Sequence, residues 1–317
     1  MSSSINNIFR RVVTLRPMSP TTSASMISMC QRNLSTDPTS QYSQFKALKV
    51  TQPADHVLNV ELNRAEKMNA MNNVMWGEIG EVFRTIDKDP DCRVVILSAA
   101  GKMFTSGIDL SDLTQLASLV YGEEDIARKS LALYNKVGWY QDQFTEMERC
   151  KKPVIACIHS ACVGGGVDLI TATDIRLATK DAWFCVKEVD MGLAADVGTL
   201  QRLPKVIGNQ SLVNELCLTA RKMRSEEAEH CGLVSRLYDD KEAMMTGAVE
   251  LASSIASKSP VAVQGTKVHL VYSRDHSVQE GLRNMITWNM AMLQSEDVMK
   301  SAMASMNKDE APQFEKF

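Results

Sequence analysis

The chain has 317 residues, 44% hydrophobic and 23% charged, with a formal net charge of −3. That is ordinary globular composition, long enough to bury a sizeable core, and it lacks the basic excess of a non-specific nucleic-acid binder. No apolar run approaches the roughly 18 to 20 residues needed to span a bilayer, so membrane insertion is not expected.

Residues 1–36 carry Arg10, Arg11, Arg16 and Arg32, no acid and no lysine, and abundant Ser and Thr. This is the composition of a transit peptide, without the long apolar core of a secretory signal. It predicts import into the mitochondrial matrix. The final residues, Glu315-Lys316-Phe317, are not a Ser-Lys-Leu-type peroxisomal signal, which makes the peroxisome a weaker expectation.

Globular sequence begins near Gln44. His56–Leu62 alternates apolar and polar residues like a half-buried strand. Polar 63–70 reads as a loop, and 72–86 has helical spacing with Met75, Ile79, Val82, Phe83 and Ile86 on one side. Residues 93–99 and 153–159 are continuous apolar runs suited to strands buried on both faces. Between them, 103–110 is a loop entering a helix, and 111–150 is mostly helical with a break near Tyr121-Gly122. Short strands are predicted at 175–179, 183–187 and 233–237, and helices at 164–173, 201–207, 210–219 and 225–231.

Strands alternating with helices imply parallel pairing through crossovers and an α/β fold. From Lys241 the pattern is helical, with breaks at Ser259-Pro260 and Tyr272-Ser273. The strandless part reads as a helical region, 251–317, attached to a core of 44–250. Its apolar positions Leu282, Met285, Ile286, Trp288, Met290 and Leu293 need a partner, and another subunit could supply part of it.

The eight cysteines are Cys30, Cys92, Cys150, Cys157, Cys162, Cys185, Cys217 and Cys231. None forms a CxxC pair and no histidine spacing suggests a zinc site, so no metal is expected. Reduced, buried thiols are the expected state.

Chemistry concentrates between Cys157 and Leu200. Gly164-Gly165-Gly166 opens a predicted helix, whose first N–H groups are free to meet negative charge. Alone, a glycine triplet equally marks a tight turn. The stretch 104–110 repeats the arrangement: a buried strand, a glycine-containing loop, a helix start. Two such loops can place one N–H apiece around a single oxygen, as an oxyanion hole does. There is no GxSxG nucleophile elbow, and Ser106-Gly107 lacks its flanking glycine. Proton transfer beside a thioester carbonyl suits the site better, and it needs carboxylates as acid and base. Asp168, Glu188 and Asp196 lie in apolar surroundings where unpaired acids are costly. Asp174, Asp181 and Asp190 read as surface or capping residues. The basic run Arg221-Lys222-Met223-Arg224 is followed at once by Glu226, Glu227 and Glu229 and reads as a solvated face rather than an RNA site.

The segments LNRAEKMNAM (62–71), MFTSGIDL (103–110), GGGVDL (164–169) and KEVDMGLAADVGTLQRLPKVIGN (187–209) together resemble the enoyl-CoA hydratase/isomerase, or crotonase, superfamily, and within it the Δ3,5-Δ2,4-dienoyl-CoA isomerase branch. The resemblance covers roughly residues 44–305. It implies a spiral of ββα turns with a helical C-terminal trimerisation region, assembled as a homotrimer or homohexamer. It implies an acyl-CoA thioester substrate, with CoA part of that substrate and no separate cofactor.

By the same resemblance, the N–H groups of Ile108 and Gly165 form the oxyanion hole, within a substrate-binding stretch of Ser106, Gly107, Ile108, Asp109 and Leu110. Glu188 removes a C2 proton, Asp196 delivers one at C6, and Asp168 is a third acid in the pocket. Arg64, Lys67 and Asn69–Met71 lie where the family holds CoA. Ala65 stands where members often carry Pro, and Ser106 where many carry Ala. The alternative is a 2-enoyl-CoA hydratase, which often uses two glutamates at the places of Asp168 and Glu188; here the first is the shorter Asp.

Overall fold

The computed structural model of the chain describes residues 38–122, 125–308 and 312–317, so the segment 1–36 lies outside the described residues. Gln41–Phe317 form one unit; of the other, Met1–Ser40, only residues 38–40 are described.

Strands β1 (Leu48–Ala54) and β2 (Val57–Leu62) make an antiparallel hairpin. The sequence pattern does not reveal β1, because Thr51, Gln52 and Pro53 interrupt it. Proline is tolerated there because β1 lies at the sheet edge. Helix α1 (Asn73–Asp87) is capped by Asn72, whose side chain accepts the Met75 N–H at 3.0 Å. It buries Met75, Ile79, Val82, Phe83 and Ile86, the face its spacing predicts.

There follow β3 (Val94–Ala99), α2 (Leu110–Tyr121), α3 (Ile126–Arg149), β4 (Val154–Ile158), β5 (Ala161–Val163), α4 (Gly165–Thr171), β6 (Ile175–Thr179) and β7 (Trp183–Cys185). Next come α5 (Thr199–Val206), α6 (Gln210–Thr219), β8 (Met223–Arg224), α7 (Ser225–His230), β9 (Arg236–Tyr238) and α8 (Lys241–Ala256).

The main sheet has the order β1-β2-β3-β4-β6-β9, parallel except for the first pair, and β5-β7-β8 form a smaller sheet. β3 and β4 are wholly buried, because helices cover both faces. Alternate side chains of β3 separate accordingly. Val95 and Leu97 join the large core with α1 and α3, whereas Val94 and Ile96 meet Met244, Ala248 and Ala252 of α8.

Two expectations shift. The apolar run at 233–237 pairs only from Arg236, as β9; Leu233 and Val234 are core residues of the preceding loop. The basic run 221–224 is partly strand β8, and Arg221 is taken up by ion pairs to Glu227 (2.6 Å) and Glu215 (2.5 Å).

The boundary at residue 250 also moves. It falls inside α8, which packs along the main sheet, so the core continues to Ala256 and the helical region begins after it. That region comprises α9 (Pro260–Ser273), α10 (Val278–Met292) and α11 (Glu296–Asn307). Ser259 caps α9 with Pro260 at its first position, the place where a missing N–H costs nothing. On α10 and just beyond it, Leu282, Ile286, Met290 and Leu293 are 62%, 69%, 70% and 63% exposed, an apolar stripe without cover in the single chain.

Candidate active site

Loops leaving the carboxyl ends of β2, β3 and β4 meet at one edge of the sheet, where open α/β folds place their ligands. Together with 187–197 they enclose a cavity of about 580 Å³. Its walls are largely apolar, including Met68, Trp76, Val137, Tyr140, Met191 and Leu193.

The loop after β2 is bolted to the loop after β3 by one residue. Asn69 is fully buried and in the left-handed region (φ 52°). Its Oδ1 accepts the Arg64 N–H at 2.9 Å, and its Nδ2 donates to the carbonyls of Ala100 (2.7 Å) and Met103 (3.0 Å). Its own carbonyl accepts Thr105 Oγ1 at 2.7 Å, and that oxygen in turn accepts the Gly107 N–H at 3.1 Å. Met71 then pairs with the second loop as a parallel bridge. Its N–H goes to Gly107 O (2.8 Å) and its carbonyl accepts Asp109 N–H (3.0 Å). In that pattern the N–H of the intervening Ile108 points away from Met71.

Gly165 supplies a second N–H from the first turn of α4, where no intrahelical acceptor exists. Ile108 and Gly165 both line the cavity. Gly107 is required here: it has φ 94°, and a Cβ on it would stand 2.9 Å from the backbone oxygen of Val163; a Cβ on Gly165 would stand 2.9 Å from Met71 Cε, the movable end of a side chain.

Several residues matched to the CoA region turn out to be supports. Asn69 and Met71 are fully buried, and Arg64 pairs with Asp109 at 3.0 Å while also bonding Ala70 O. Lys67 and Ala70 remain on the cavity wall. Asp109 lines the cavity too, but it caps α2 through Ser111, and Ser111 and Arg64 hold its carboxyl below the usual range. Ser106 and Leu110 lie on the wall.

The three acids separate. Glu188 opens a short 3₁₀ turn, Glu188–Met191, on the cavity wall, and a Cβ on Gly164 would stand 3.2 Å from its Oε1. Its other oxygen is buried without a hydrogen-bond partner among the described residues. Burial, and then the charge of Asp196, push its carboxyl upward. Asp196 also lines the cavity but is exposed in the single chain, contrary to the burial its apolar neighbours suggest; the partial desolvation that remains still raises its carboxyl.

Asp168 is corrected in position. It lies behind the wall, 0% exposed, with Oδ1 accepting the Thr199 N–H and Oδ2 without a hydrogen-bond partner among the described residues. Burial, followed by the charge of Glu188, pushes its carboxyl up to about 7. The other acids are structural. Asp174 accepts Val154 N–H and pairs with Lys267, each at 2.8 Å, and Asp190 pairs with Lys187.

The shift at Asp168 has a signed consequence. Its folded value lies above the ordinary 3.8, so its stabilising contribution is intact below that value and is lost as pH rises toward 7. Asp168→Asn keeps an acceptor for Thr199 and removes the ionisation. Its unfolding free energy is expected to gain on wild type between about pH 4 and pH 7, by on the order of a few kcal/mol. Equal denaturation midpoints for the two proteins across that range would show that the carboxyl titrates normally.

The arrangement offers two N–H groups and two carboxylates lining one cavity: the parts for moving a proton beside a carbonyl whose oxygen gains charge. Among the described residues, no group of three His, Cys, Asp or Glu side chains could hold a metal ion, and no helix is long and apolar enough to cross a membrane. Spacing could not have found Trp76, Val137 and Tyr140 as cavity residues, since their pattern is that of helix faces turned to a core.

The mitochondrial Δ(3,5)-Δ(2,4)-dienoyl-CoA isomerase of Mus musculus is 59% identical over 264 residues, 83% of this chain and 80% of that protein. The peroxisomal protein of the same name from Arabidopsis thaliana is 44% identical over 260 residues, 82% of this chain and 93% of that one. A crystal structure of an enoyl-CoA hydratase from Bacillus anthracis superposes with a TM-score of 0.76 at 25% identity, over 85% of this chain and 99% of that one. The model of the family described as enoyl-CoA hydratase/isomerase matches residues 53–316, and the chain belongs to that family.

Proposed function

We propose that this chain converts 3,5-dienoyl-CoA to 2,4-dienoyl-CoA, the activity named for its mouse and Arabidopsis relatives. One observation carries the choice over hydration: Glu188 and Asp196 share a cavity wall, whereas Asp168 is withdrawn behind it. A 2-enoyl-CoA hydratase of the usual kind needs its second carboxylate, here at position 168, in reach of a water in the cavity. The isomerase uses the pair that is there.

Glu188 takes a proton from C2. The electron pair runs through the thioester to its oxygen, where the Ile108 and Gly165 N–H groups hold the charge; each is worth about 3 kcal/mol. The dienolate collapses as Asp196 gives a proton to C6, and both double bonds move. One proton leaves the substrate and one enters, so the reading requires no cofactor besides the CoA carried by the substrate. Formation of a conjugated dienoyl-CoA, followed by its ultraviolet absorbance from a 3,5-dienoyl-CoA, tests the reading directly. Efficient hydration of a 2-enoyl-CoA with no such absorbance would replace it.

A second outcome separates the two acids. Asp196 is open to solvent and Glu188 is half-enclosed, so the acid exchanges its proton between turnovers. Turnover in deuterated water is expected to place one deuterium at C6 of most product molecules. Direct return of the C2 hydrogen to C6 would contradict a two-group mechanism.

The mitochondrial label of the mouse relative and the arginine-rich segment 1–36 support work in the mitochondrial matrix. The uncovered stripe on α10 supports a homotrimer or homohexamer.

A further inference from the structure

Asp196 sits in a loop with little of its own to hold it. Gly192 (φ 79°) and Gly198 (φ 139°) flank it in conformations that favour glycine. Between them, Ala195 is the one residue fully buried. The loop is gripped instead from α3. That helix presents Gln141, Thr145 and Glu148, three side chains on one face. Gln141 Nε2 donates to the backbone carbonyl of Asp196 at 2.6 Å. Glu148 Oε2 accepts Arg202 Nε (3.1 Å) and Nη2 (3.0 Å), and Thr145 Oγ1 accepts Nη2 at 3.1 Å. The guanidinium so fixed lies against Gly198, where a Cβ would come within 2.1 Å of Nη1. Glu148 Oε1 accepts Nη1 of Arg274, the residue that follows α9, at 2.7 Å, so the anchor is tied to the helical region as well. The far side of this wall is a separate polar crevice of about 390 Å³, and Val197 belongs to both.

We propose that Gln141 is a positioning residue for Asp196, holding its carbonyl so that the carboxyl meets C6 of the substrate while Arg202 braces the other end of the loop. The inference rests on the isomerase reading. Among the described residues the group that bonds the Asp196 carboxyl is its own backbone N–H, so its aim is set by its backbone. The carbonyl of Asp196 and the carboxyl share one residue, and a shift of the first is passed to the second. A displacement of about 1 Å at a reacting group can cost on the order of 10²-fold in rate. Gln141 is exposed, lies off the cavity wall that Ile108, Gly165 and Glu188 line, and spends its amide on the Asp196 carbonyl, so its removal should leave deprotonation at C2 alone.

The test is a cycle of Gln141→Leu, Asp196→Asn and the double variant, each measured for isomerisation and for exchange of the C2 hydrogens with deuterated water. Gln141→Leu is expected to lower kcat by about tenfold or more with KM within about twofold. C2 exchange should stay at the wild-type rate and the melting temperature should remain close to wild type. Added to Asp196→Asn, it should cause no further loss, since the group it positions is already gone. Wild-type kcat in Gln141→Leu, or an equal further loss in the Asp196→Asn background, would overturn the role. A wild type that exchanges C2 but never isomerises would overturn the isomerase reading and this one together, and is distinguished by appearing before any substitution.

Discussion

Asp196→Asn is expected to lower the isomerisation rate by about 10² to 10⁴-fold, the usual cost of losing a general acid, while the protein still folds and binds acyl-CoA. Its carboxyl is exposed and is bonded by its own backbone N–H, which an amide oxygen accepts as well, so the amide fits without loss of a contact. The half of the reaction that Glu188 performs should survive: C2 hydrogens continue to exchange with deuterated water although no conjugated product accumulates. Glu188→Gln should differ by losing exchange and turnover together. A hydratase of the usual kind gives Asp196 no task, so near-wild-type isomerisation by Asp196→Asn removes it from the mechanism.

Asn69→Ala should be the most damaging change outside the acids. It strips the partners from the Arg64 N–H and from the carbonyls of Ala100 and Met103. Each buried group left unpaired costs about 1 to 3 kcal/mol, and alanine is less at ease than asparagine at φ 52°. A loss of about 3 to 5 kcal/mol is expected on denaturant unfolding, with a larger loss of activity because Ile108 is held through the same loop. An unfolding midpoint close to wild type would show that the clamp is not what holds the two loops together.

The acids of the candidate site were legible because acids in apolar sequence are conspicuous, yet the same cue misled about their burial. Met191 and Leu193 are apolar and exposed; they face the cavity, and a binding wall has the same composition as a core. Asp196 beside them therefore looks buried in sequence and is open in the single chain. Asp168, in the fully buried turn of α4, is the acid that truly lost its water. The fold was legible where periodicity is strong, as in α1 and in β3 and β4. It was not legible for β1, interrupted by Pro53, or for β5 and β8, which at three and two residues carry no period at all. Asn69 and Gln141 were unreadable for another reason: each acts through bonds to residues far along the chain, which no local pattern records.

The walls of the cavity come from segments near 66–70, 76, 106–110, 137–140, 163–165 and 187–197, brought together by parallel strands and long crossovers. Contacts between such distant parts of a chain are the slow ones to form, since loop closure must be met before pairing rewards it. Helices such as α1 and α3, closed by their own local bonds, have no such wait. Diluted from denaturant, the chain should recover helical circular dichroism first and turnover only after, because the place where chemistry happens is not housed in any fragment and comes into being with the last crossover.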